Sequence, residues 1–176
     1  MFFNRHLKQG DEIGEMTLTM LKTATLGTSV NPNEVFNPPP DFFLDSYVVG
    51  FLTSYVGWAM DFGFGSANWS TTKKGECIGR AFAVIDPSGN LYKGLVKKIP
   101  LEETLHARGG NDGTTVMAIT YGKLRADDED PKVIEAKGLA EEMASSMPQQ
   151  SAQEHFPKTA YLVTIRQYIQ EKWDEA

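Results

Sequence analysis

Residues 41–64 constrain the fold more than any other part of this chain. They hold Phe42, Phe43, Leu44, Tyr47, Val48, Val49, Phe51, Leu52, Tyr55, Val56, Trp58, Met60, Phe62 and Phe64. Asp45 and Asp61 bracket the 15 uncharged residues between them. A membrane span needs about 20 apolar residues, so a run this short reads as a buried core helix. Because the helix is apolar nearly all round, it belongs at the centre of the domain, with other elements packed around it.

The small residues of the same stretch say how it packs. Ser46, Gly50, Ser54 and Gly57 are spaced 4, 4 and 3 apart, which puts them on one helical face. A Gly inside a helix costs about 1 kcal/mol relative to Ala, so a stripe without bulky side chains usually serves a close approach by another helix. That helix belongs to the same chain or to a second copy in a homodimer. Asp41, after three prolines, reads as an N-cap, and Asp45 falls in the first turn, where the helix dipole favours negative charge.

On either side the periodicity is mostly helical. Ile13, Met16, Met20 and Ala24 form a stripe that starts behind Asp11 and Glu12 and ends before Gly27, as expected of an amphipathic helix. Val133, Ala136, Ala140, Met143 and Met147 form a second stripe behind Pro131. Leu162, Ile165, Ile169 and Trp173 form a third. The middle allows two readings. Asp86-Pro87-Ser88-Gly89-Asn90 is a turn. Residues on either side of it could pair as a β-hairpin over 81–98, but Ile78, Ala81, Phe82 and Ile85, then Tyr92, Leu95, Val96 and Ile99, repeat at helical spacing. Helix is preferred. Arg108-Gly109-Gly110-Asn111-Asp112-Gly113 reads as another turn. The expected fold is therefore mainly α: a single domain over 1–176, with six or seven helices around the central apolar one. An α+β domain with one hairpin is the alternative.

Composition narrows the class. A chain of 176 residues with 41% hydrophobic and 23% charged residues matches a globular domain and is large enough to bury a core without staples. One Cys excludes an intrachain disulfide and a four-thiolate zinc site and points to a reducing, cytoplasmic setting. No secretory leader is evident at the N-terminus. The net charge of −6 argues against a nucleic-acid partner. It is unevenly spread: residues 70–125 carry 9 basic and 5 acidic groups, while both flanks are acidic.

Catalytic patterns are weak. Glu103 and His106 stand at i, i+3, a spacing that supplies metal ligands in di-iron bundles. No second such pair accompanies them, and a solvent-facing helix end is the preferred reading. Cys77, beside Ile78, reads as a small core hydrophobe rather than a nucleophile. Gly63-Phe64-Gly65-Ser66-Ala67-Asn68 lacks the third glycine and the preceding strand of a dinucleotide loop. Gly109, Gly110 and Gly113 are not followed by the Lys-Ser/Thr of a phosphate loop. No cofactor is implied.

Aromatic residues at the ends of the apolar segment offer another route to function. Phe64 and Trp69 lie where the central helix ends, and Lys73, Lys74 and Arg80 follow at once. Loop aromatics beside basic residues suit a binding surface. The expectation is a non-enzymatic protein-interaction module, an adaptor or neutralising partner, that is homodimeric and has no transmembrane segment. The competing expectation is a small-molecule or metal-binding enzyme or carrier with a pocket near Asp61, Trp69 and His106.

Overall fold

The computed structural model describes residues 5–26, 38, 41–96 and 103–120. Five α-helices run through them: α1 (Arg5–Leu26), α2 (Ser46–Phe64), α3 (Thr71–Ile85), α4 (Asn90–Val96) and α5 (Glu103–Thr120). Short 3-10 turns, Phe42–Leu44 and Ser66–Asn68, bracket α2. No strand occurs among the described residues, and the mainly α expectation holds. The stripes at 133–147 and 162–173, and with them the expected total of six or seven helices, lie outside the described residues. The side chains treated below belong to one compact unit, Met1–Thr19 with Val35–Met117; α1 and α5 each run past its boundary.

The apolar segment forms α2, and it is central. Its buried residues are Tyr47, Val48, Val49, Gly50, Phe51, Leu52, Tyr55, Val56, Ala59 and Met60. Each fully buried large side chain contributes about 1.5–3 kcal/mol, so this helix carries much of the core. It starts one turn later than the prolines suggest. Phe42 and Phe43 are buried in the 3-10 turn, and Asp45, extended at φ −62° and ψ 130°, is the N-cap, accepting the Val48 N–H at 3.0 Å. Asp41 makes no side-chain cap bond. At the far end Gly65 adopts φ 63° and donates its N–H to the Met60 carbonyl, the left-handed stop that favours glycine.

The hairpin alternative over 81–98 is overturned: residues 71–85 and 90–96 are both helical. The turn between them is where the sequence placed it. Asp86, only 3% exposed, accepts from the Ser88 N–H at 3.0 Å, the Ser88 hydroxyl at 2.5 Å and the Leu91 N–H at 2.7 Å. One carboxylate thus closes the turn and satisfies the start of α4. Cys77, Ala81, Phe82 and Ile85 turn inward from α3, and α4 packs against α2, α3 and the first 3-10 turn.

Two further corrections share one cause. The segment read as a turn at 108–113 lies inside α5, and α1 begins six residues before Asp11 with a rotated inner face. Ile13 and Thr17 are buried at i and i+4, whereas Met16 is 38% exposed. In both cases glycines seat one helix directly on the backbone of another. A Cβ at Gly109 would strike the Tyr47 carbonyl oxygen, one at Gly113 the Phe51 carbonyl oxygen, and one at Gly50 the His106 carbonyl oxygen. A Cβ at Gly10 would lie 2.5 Å from the Cys77 oxygen, and one at Gly14 2.9 Å from the Ala81 oxygen. Local propensity disfavours these glycines, but the close helix contacts they allow offset it. Side chains pin the α2–α5 seam on both sides: Tyr47 donates to Asp112 at 2.8 Å, the Arg108 guanidinium lies over the Tyr47 ring at 5.8 Å, and the Trp58 indole N–H donates to the Thr114 hydroxyl at 3.0 Å.

Candidate functional site

The corner between α2 and α3 is built rigidly. Ser66 is fully buried and donates its hydroxyl to Asp61, which also receives Lys74 Nζ at 3.1 Å. The Trp69 N–H donates to the Ser66 carbonyl at 2.8 Å, and the Ser70 hydroxyl accepts the Lys73 N–H at the start of α3. Trp69 is therefore fixed on a short, extended step between two helices. The first turns of α1 come up against it. The His6 ring meets the indole edge to face, with centroids 6.3 Å apart, and its Nε2 lies 2.6 Å from Glu76 Oε2.

These pieces enclose a cleft of about 530 Å³ lined by Arg5, His6, Gln9, Phe64, Trp69 and Lys73. The volume falls in the range of ligand sites. Two observations set its chemistry. First, the cations divide into those with and without carboxylate partners. Lys74 pairs with Asp61 and Arg80 with Asp11 at 2.7 Å, whereas neither Arg5 nor Lys73 pairs with a carboxylate among the described residues. Second, Gln9 is only 6% exposed and its Oε1 accepts no hydrogen bond from the described residues. A buried carbonyl without a donor costs about 1–3 kcal/mol, so this atom favours a ligand that brings a donor.

The structure distributes the sequence's candidates unevenly. Phe64, Trp69 and Lys73 line the cleft; Lys74 and Arg80 are held in ion pairs within the chain. Of the small stripe, Gly50 meets the α5 backbone and Ser54 lies against Gly110, while a Cβ at Gly57 would meet none of the described residues beyond its own helix. Ser46 opens α2. Asp61 is engaged by Ser66 and Lys74, and His106 belongs to the α5 seam beside Gly50, so neither lines the cleft that holds Trp69. Glu103 is exposed in the first turn of α5. Among the described residues no three of His, Cys, Asp and Glu gather as a metal site, so no third ligand joins Glu103 and His106.

Arg5, His6 and Gln9 were missed by sequence reasoning because the first helix was started at Asp11. The signal was present: Gln9, Ile13, Thr17 and Leu21 repeat every fourth residue, with Gly10 and Gly14 alongside. Cys77 is fully buried, and burial, reinforced by nearby Asp11, pushes its thiol up to about 11. Such a group is a poor nucleophile near neutral pH. No helix among the described residues is long and apolar enough to cross a membrane. Comparison with protein-family models, characterised proteins and solved structures finds no match.

Proposed function

We propose that this protein is a non-enzymatic interaction module, an adaptor or neutralising partner in the cytoplasm, that engages another protein through the Phe64–Trp69–Lys73 cleft. The observation that carries the proposal is the gathering of two aromatic rings and two cations, neither paired with a carboxylate among the described residues, at one corner. Aromatic anchors in a concave site, ringed by wet charges, are the anatomy of a binding hot spot. The acidic balance of the chain favours a protein partner over nucleic acid. The single cysteine, buried and slow to ionise, suits a reducing interior.

Native mass spectrometry of the untagged protein from its own host tests this. The expected species is a protein–protein complex, with a second copy of the chain or another protein, that is depleted at least ~10-fold by Trp69→Ala combined with Lys73→Glu, a loss equivalent to about 1.4 kcal/mol. A small-molecule or metal adduct without any protein partner would favour the carrier reading instead. A complex that survives both substitutions would remove the cleft from the interface.

A further inference from the structure

We infer that the cleft recognises an extended, acidic segment of the partner: a carboxylate side chain beside an apolar one, on a chain that offers a backbone N–H. The inference rests on the interaction-module reading and adds the chemistry of what is bound. Three features of the cleft select that chemistry. Arg5 and Lys73 pair with no carboxylate among the described residues, in a chain whose net charge is −6. They are cations of the cleft that no carboxylate among the described residues neutralises, so the cleft attracts an acidic segment. Phe64 and Trp69 supply the apolar floor, with Trp69 held by His6 and the Ser66 carbonyl. Gln9 supplies the unmet hydrogen bond: its side chain lines the cleft, is 6% exposed, and its Oε1 has no donor among the described residues. The terminal amide torsion is a broad two-fold rotor, so the carbonyl can turn to meet a backbone N–H of a bound segment.

A free anion satisfies only the first feature. Arg5 and Lys73 are both exposed, and exposed ion pairs are individually weak, so a bare carboxylate or phosphate gains little here. An extended segment meets all three features at once. Its backbone carries an N–H at nearly every residue, and its alternating side chains reach opposite sides, one toward the aromatic floor and the next toward the cations.

The test is a random-octapeptide display selection on the full-length protein, followed by affinity measurement with the selected peptides. Wild type is expected to enrich Asp and Glu next to an apolar residue, with affinity falling several-fold as salt rises from low to high ionic strength. Arg5→Glu with Lys73→Glu is expected to reverse the preference to Lys and Arg, the far-UV spectrum being unchanged. Gln9→Met is expected to weaken the acidic peptides roughly 10-fold while keeping their charge preference and at least wild-type stability, because it removes the orphan carbonyl. Three results overturn the inference: no enrichment, enrichment that the charge reversal leaves unchanged, or inorganic phosphate or free glutamate competing at the affinity of the peptides. If native mass spectrometry still shows a cleft-dependent protein complex in any of those cases, only the chemistry assigned here fails. If that complex is absent too, the module reading falls with it.

Discussion

Replacing Gly109 with Ala adds one methyl group, and the structure says where it goes. It lands on the Tyr47 carbonyl oxygen and 2.9 Å from the Phe51 nitrogen. Both atoms are main chain in the first two turns of α2 and cannot swing aside, so the two helices must separate. Overpacking of this kind costs about 1–3 kcal/mol, with a main-chain clash at the upper end, and the better helix propensity of Ala returns about 1 kcal/mol. The net expectation is a loss of about 2 kcal/mol. The same substitution at Gly75 or Gly79, on α3 with nothing of the described residues within 4 Å of the added Cβ, should gain up to about 1 kcal/mol. One chemical change thus moves stability in opposite directions, with a gap of about 3 kcal/mol between sites. Urea denaturation measures it as the midpoint shift at constant slope. A Gly109→Ala midpoint at or above wild type would refute the claim that α2 and α5 meet through their backbones.

The Asp86 carboxylate should be nearly as costly to remove. Asp86→Ala leaves the Leu91 N–H buried without an acceptor and opens the turn, for a loss of about 2 kcal/mol by denaturation that Asp86→Asn restores in part. Cys77 should resist an aromatic disulfide reagent at a pH of about 8. With its pKa raised from 9.0 to about 11, native modification should be at least ~100-fold slower than in denaturant, and equal rates would contradict its burial. The same shift weakens the fold as pH climbs from about 9 to about 11, because the unfolded thiol ionises first and the native one only at the upper value. A Cys77→Ala variant should show a flatter alkaline limb.

What was legible in the chain was whatever neighbouring residues decide. The central helix announced itself through 15 uncharged residues between two aspartates, and the turn at 86–90 through its Asp, Pro, Ser and Gly. The inner face of α3 followed from Ala81, Phe82 and Ile85 at helical spacing. What misled was tertiary. Gly109, Gly110 and Gly113 look like a turn until α2 lies against them, and that contact is set by residues far away in sequence. Met16 looked inward on periodicity alone, but the Gly10–Gly14 contact with α3 rotates α1 and puts Thr17 inside. The site divided in the same way. Phe64, Trp69 and Lys73 were visible as loop aromatics and a following cation. Nothing local distinguishes Lys73 from Lys74 or Arg80, because the difference lies in where Asp61 and Asp11 end up.

The glycine seams also bear on how the chain reaches this state. The Tyr47–Asp112 bond beside one seam joins residues 65 positions apart, and the Arg80–Asp11 bond beside the other joins residues 69 apart. The α3–α4 corner, by contrast, closes within a few residues, Gly89 donating to Asp86. Loop closure over such distances draws on chain entropy before any contact forms to offset it, and contacts this remote in sequence slow folding. Individual helices and the α3–α4 corner are local and come first. The seams come late, because main chain meets main chain there only after both helices are in place, with the flanking side-chain bonds closing beside them. Fast local helices followed by slow closure of the seams is the kinetic order that this arrangement of glycines writes into the chain.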